Sequence, residues 1–277
     1  MDSISLLHNA ARSYCIDRIG YWHGRYAELD NAGRNTVALA DGSRAYSDDA
    51  WRIFPRYRIL EAILRDVERT IPGDFTSENQ LRDVLSANGM TAPNPIGEDP
   101  AQPLASAAVA AERSLFAEFV RGLTPEMCVS VPQLPFRHVL GRDDGAKLWA
   151  AFETKWGRWY GGSCEGGQSR EHVTLHTAAM EAPGAYEQLR RVVSLSGFTR
   201  VIELREGGHD CEIDLEGASF LYDGEEGFWT SRDLNWMVYV SHESSITFGG
   251  SWLVSEMREV LPQFDKYRYK GWDVAIY

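Results

Sequence analysis

The sequence holds no Cys-x-x-Cys pair, since its four cysteines stand far apart at 15, 128, 164 and 211. A zinc ribbon or a thioredoxin-like motif is therefore excluded at the level of pattern. Long apolar runs are also missing. The run from Ala105 to Ala111 is small and Ala-rich and passes into Glu112 and Arg113, well short of the ~20 residues needed to span a bilayer. The opening Met-Asp-Ser-Ile-Ser-Leu-Leu-His has no basic n-region and no long apolar h-region, so no signal peptide is expected. These absences make a cytoplasmic protein with no membrane partner the expectation, and in that reducing compartment the thiols are expected to stay unpaired. Nucleotide and cofactor patterns are absent too. There is no G-x-x-x-x-G-K-[ST], no G-x-G-x-x-G, no G-x-S-x-G elbow, no EF-hand loop and no H-E-x-x-H. No cofactor is expected.

What is present is an ordinary globular balance with an uneven charge. The 277 residues include 44% hydrophobic and 25% charged side chains, with nine Trp, twelve Tyr and eleven Phe. That is enough for one large domain or two modest ones with substantial cores. The net charge is −12. Residues 1–160 hold 18 Lys and Arg against 21 Asp and Glu, whereas residues 161–277 hold 10 against 19. Within 203–226 nine acids (Glu203, Glu206, Asp210, Glu212, Asp214, Glu216, Asp223, Glu225 and Glu226) face one base, Arg205. A field of that sign repels phosphate backbones and attracts a cation or a basic protein. A solvated acidic face that keeps the chain soluble accounts for the same residues.

The first 160 residues read as mainly helical. Leu7, Ala11, Tyr14, Trp22, Tyr26 and Leu29 recur near helical spacing, with Gly20 as a weak point. Residues 30–46 read as a loop. Ser47-Asp48-Asp49 caps a short turn expected to stop at Pro55, which then opens a helix with Ile59, Leu60, Ile63, Leu64 and Val67 on one stripe. Ser77-x-x-Gln80 is a capping box for a helix expected to end at Gly89. Residues 90–103, with four prolines, read as a loop. A helix is expected from near 104 to Gly122, with Leu115, Phe116, Phe119 and Val120 inward, followed by helices after Thr124-Pro125 and from about Asp144 to Gly157. The glycine-rich 161–169 marks the expected boundary between a helical domain, 1–160, and an acidic α+β domain, 161–277. Beyond it the period shifts toward two. Strands are expected at His172–Thr177, Thr199–Leu204, Cys211–Leu215, Ser219–Tyr222, Trp236–Val240 and Ser245–Phe248. Helices are expected at Pro183–Val193 and after Gly250. The fold class is α+β, a helical N-terminal region followed by an antiparallel sheet with helices packed on one face.

Three constellations bear on chemistry. His172 and His176 share a face whether their segment is helix or strand, and His209 or Asp210 could join them. A zinc site needs three protein ligands, and surface histidines explain the pair as well. Cys164, in Gly162-Ser163-Cys164-Glu165-Gly166, is a nucleophile only with a base, which the sequence does not name, and a glycine-rich linker accounts for it. Ser241-His242-Glu243-Ser244 sets a His beside a carboxylate between two strands. It reads as a general base or as a hairpin turn whose Ser and Glu satisfy backbone donors. The aromatics Phe228, Trp229, Trp236, Trp252, Tyr267, Tyr269, Trp272 and Tyr277 read mostly as core, with the run from Phe264 to Trp272 nearer the surface.

The stretch from Trp236 to Gly250, with Phe54-Pro55-Arg56-Tyr57 and Leu134-Pro135-Phe136-Arg137, resembles segments of bacterial proteins of no assigned function. The resemblance implies a bacterial origin and carries no activity. The reading is a non-enzymatic, immunity-like module that masks a basic protein partner. Glu206, Asp210, Glu212, Asp214, Asp223, Glu225 and Glu226 carry its field, and Trp229 anchors the contact. The alternatives are a metal-dependent hydrolase built on His172 and His176, and a scaffold acting through the helical region.

Overall fold

The computed structural model describes residues 2–97, 102–160, 163–169 and 171–269. The chain divides into two compact units, Met1–Leu134 and Pro135–Tyr277. The second unit thus starts well before the glycine-rich stretch. Residues 137–156 supply it with an edge strand and a helix, so the expected boundary at 160/161 would cut through a packed layer.

The first unit is helical. Helix α1 (Ser3–Asn31) starts where Asp2 accepts a hydrogen bond from the Ser5 amide at 2.7 Å, and it runs unbroken through Gly20. A small hairpin, β1 (Thr36–Ala38) and β2 (Arg44–Tyr46), occupies part of the expected loop. Helix α2 (Asp48–Arg69) is capped by Ser47 and continues through Pro55 rather than stopping there. An interior proline costs roughly 3 kcal/mol. Ile59, Leu60, Ile63 and Val67 are fully buried and contribute roughly 1.5–3 kcal/mol each, which offsets it. Helix α3 (Glu78–Thr91) begins at Ser77 as the capping box requires, although Gln80 reaches back to the Thr76 amide. It does not end at Gly89. A Cβ there would lie 2.3 Å from the Phe116 ring on α4 (Pro103–Gly122), so the glycine marks a close helix approach. Of the expected 90–103 loop, Met90 and Thr91 belong to α3 and Pro103 to α4, and 92–97 and 102 are the described residues between the helices. Helix α5 (Pro125–Ser130) follows Thr124. Glu112 is completely buried and accepts from Arg18, Arg56 and the Trp22 indole at 2.7–3.1 Å, so its charge is fully paired.

The second unit is α+β. Its strands are β3 (Arg137–Val139), β4 (Arg158–Tyr160), β5 (Ser163–Glu165), β6 (His172–His176), β7 (Arg200–Arg205), β8 (Cys211–Asp214), β9 (Gly227–Thr230), β10 (Met237–Ser241) and β11 (Ser245–Gly249). Among the described residues seven of them form one antiparallel sheet in the order β3-β8-β7-β9-β10-β11-β6, and β4 pairs with β5. Helices α7 (Ala185–Leu195) and α8 (Ser251–Val260) bury Leu189, Val193, Leu253 and Met257 against one face, beside Val201, Ile213, Trp229, Val238 and Phe248. The opposite face is covered as well. Helix α6 (Arg142–Trp156) and Trp159 pack on Ile202, Leu204, Phe228, Met237 and Tyr239. Helices therefore lie on both faces, and the reason is visible in the strands. Every residue of β9, β10 and β11 is buried, so neither parity is left for water. The expected strand at 219–222 is a loop in which Phe220 is buried beside Trp229 at 5.4 Å, and the strand forms instead at 227–230. Among the described residues no helix is long and apolar enough to cross a membrane.

Candidate functional site

On the face covered by α6, backbone pairing aligns Leu204, Phe228 and Tyr239 across β7, β9 and β10. Phe228 stacks on Tyr239 with ring centroids 4.4 Å apart, and Trp149 and Phe152 of α6 meet Phe228 edge-on at 5.4 and 5.0 Å. Trp159 closes the other side, 5.7 Å from Tyr239. Gly157 makes this closure possible. It sits at φ +84°, a conformation suited to glycine, and a Cβ there would lie 2.5 Å from Cys164 Sγ. Between these rings runs a groove of about 200 Å³, lined also by Glu153, Arg158, Glu206 and Glu226. Glu153 and Arg158 pair at 3.3 Å, so the other acids of the lining are Glu206 and Glu226. Glu206 is exposed and makes no ion pair among the described residues.

At the end of this groove stands a compact polar cluster. Buried Tyr239 donates its hydroxyl to Glu226 Oε2 at 2.6 Å. The β10–β11 turn carries His242, with Nδ1 2.6 Å from Glu226 Oε1 and Nε2 3.0 Å from Glu243 Oε1. A carboxylate at each ring nitrogen favours the doubly protonated ring, in which both N–H groups donate. The hydrogen bond to Glu226 raises the His242 pKa above its ordinary value of 6.5; burial opposes it, and the charges of Glu243, Glu226 and Glu206 add to the rise. The turn itself is held by Ser241, whose hydroxyl accepts from the Glu243 amide at 3.2 Å and meets Ser245 Oγ at 2.8 Å, with Ser244 at φ +56°. The expected hairpin turn is therefore present, and its His and Glu engage a third residue as well.

The other expected site residues are dispersed. Trp229 is completely buried on the α7/α8 face, so it does not anchor a surface contact. Asp210 accepts from the Trp149 indole at 3.1 Å and the Arg205 amide at 3.2 Å, and burial raises its pKa. Asp214 accepts from the Phe136 amide at 2.7 Å and pairs with Arg200 at 3.4 Å, while Glu212 pairs with Arg232 at 2.7 Å. Asp223 and Glu225 gather around the nearly buried guanidinium of Arg205, which Asp223 contacts directly. Of the acids expected to form the field, only Glu206 and Glu226 line the groove.

His172 and His176 do share a face of β6, but they are occupied differently. His172 meets Trp159 edge-on at 4.9 Å, and His176 Nδ1 accepts from the Ala178 amide at 3.1 Å. Among the described residues the group able to hold a metal is instead Glu226, His242 and Glu243. Cys164 donates its thiol to the Trp156 carbonyl at 2.9 Å, a structural role at the end of α6. Trp272 and Tyr277 lie outside the described residues.

No family, curated protein or solved structure matches this chain. The functional reading therefore rests on geometry. The His242-Glu243 dipeptide was visible in the sequence. Its union with Glu226, sixteen positions away, required the β9–β10–β11 pairing.

Proposed function

We propose that the second unit binds a basic protein partner, one of whose Lys or Arg side chains enters the groove beside Glu206 and Glu226, so that the partner is masked in the manner of an immunity protein. The observation that carries this reading is the union in one groove of aromatic walls with the exposed Glu206, which makes no ion pair among the described residues, and with Glu226 beside it. At about 200 Å³ it is smaller than the usual small-molecule pocket of roughly 300–1,000 Å³, and it suits a single side chain. The aliphatic stem of a Lys or Arg would lie along Phe152, Trp159 and Phe228, and its cationic head would reach the carboxylates. Rings facing a cation contribute about 0.5–2 kcal/mol, and a hydrogen bond to a charged group about 1.5–3 kcal/mol. The excess negative charge of the C-terminal half would accelerate encounter and orient the partner.

Titrating the full chain with a Lys-rich peptide while following tryptophan emission tests this, because Trp149 and Trp159 line the groove. The expected result is a saturable change at low salt that weakens as salt rises and is absent with a Glu-rich peptide of equal length. An equal response to both peptides would remove the reading.

A further inference from the structure

We propose that Glu226, His242 and Glu243 form a binding site for a divalent transition-metal cation of the zinc class. The three residues each offer a ligand atom, and these atoms lie within 4.8 Å of one another. An ion with ligand distances of roughly 2.0–2.2 Å would require the His242 ring, which now meets Glu226 and Glu243 through opposite nitrogens, to turn so that one nitrogen and both carboxylates face it. The donor set is one imidazole and two carboxylates. Imidazole suits zinc, iron, nickel and copper, whereas all-oxygen sets suit magnesium and calcium. Three protein ligands leave a fourth position open to water, the pattern of sites that exchange ligands rather than of closed structural ones.

A second observation points the same way. The Glu243 side chain is only 9% exposed. One of its oxygens meets His242, while the other, Oε2, is buried with no hydrogen-bond partner. A buried carboxylate oxygen without a donor is costly, and a cation is the species that would satisfy it. The site is also supported from behind. Glu226 is held by the buried Tyr239 hydroxyl, the kind of outer contact that fixes the orientation of a ligating group. His242 alone among the three is well exposed, its side chain at 58%. It stands on the turn where an ion arriving from water would meet it, and the ion would take the place of a ring proton.

The inference shares only Glu226 with the groove proposed for a basic partner, and Glu206 and the aromatic walls take no part in holding the ion, so metal binding is read without that partner. It is tested on the full chain, purified without a polyhistidine tag and stripped with a chelator, by isothermal titration with Zn²⁺, Mn²⁺ and Mg²⁺ separately. One Zn²⁺ per chain is expected, at least tenfold tighter than Mg²⁺. His242→Ala and Glu243→Gln should each weaken Zn²⁺ at least tenfold. His242 is exposed on its turn, so His242→Ala should keep the wild-type circular dichroism spectrum and a cooperative melt in the absence of metal, with only the modest loss of stability that removing its bridge entails. Failure to bind Zn²⁺ stoichiometrically would overturn the site, and so would unchanged Zn²⁺ binding in a folded His242→Ala variant.

Discussion

His242 owes its protonation to its neighbours. Its ring bridges Glu226 and Glu243, with Glu206 adding further negative charge. The folded pKa is raised above the unfolded value near 6.5, so the stabilisation from this bridge is fully present below that pH. It is lost as pH rises through the raised folded value. In metal-free buffer, the gap in denaturant midpoint between wild type and His242→Gln should therefore be widest below pH 6.5 and shrink at alkaline pH. Proton NMR of the ring should show titration above 6.5. A ring titrating below 6.5 would contradict the bridge. At this scale the sequence was partly legible. His242 beside Glu243 invited both a general-base and a turn reading, and the turn is what the backbone forms. In the sequence an aromatic among acids looks exposed, whereas Trp229 is buried beside Phe220 in the core under α7 and α8.

Helices were more legible than strands. The 3.6-residue stripes of α2, α3, α4 and α6 stand out because each repeats over several turns. The punctuation between them was less reliable. Pro55 and Gly89 are stop signals in isolation, yet both sit inside helices because packing outweighs local preference. Gly89 gives a direct check. With 2.3 Å between an added Cβ and the Phe116 ring, Gly89→Ala should destabilise the first unit by about 1–3 kcal/mol, although alanine is the better helix former. Urea denaturation measures this, and an unchanged or higher midpoint would show that α3 and α4 can separate at no cost. Among the strands, β9 escaped notice because its four residues follow a glycine-rich acidic loop, while Ser219–Tyr222 offered a similar apolar pattern eight residues earlier. A pattern of four residues does not decide between them. The positive φ at Phe220 and the pairing of 227–230 with both β7 and β10 do.

At the scale of the whole chain, composition revealed the charge asymmetry but not its organisation. Most of the acids in 203–226 are matched by Arg200, Arg205 and Arg232 or by backbone and indole donors. Those arginines lie near in sequence or across strands, and a net count cannot distinguish a paired acid from a free one. The unit boundary is hidden for a related reason. Next to the short β4–β5 hairpin, Gly157 and Gly167 are needed because added Cβ atoms would strike backbone or sulfur. These two glycines mark tight packing within a unit rather than a linker. What remains of the acidic field at the aromatic groove is Glu206, next to Glu226, which His242 and Tyr239 hold, and the account stands on Glu206. The most direct measurement is the affinity of a Lys-rich peptide for wild type and for Glu206→Lys, taken by calorimetry across a range of salt. Glu206 is exposed, so the substitution should leave the fold intact. The account predicts roughly tenfold weaker binding, about 1.4 kcal/mol, with a shallower salt dependence. Equal affinity and equal salt dependence in the two proteins would contradict it.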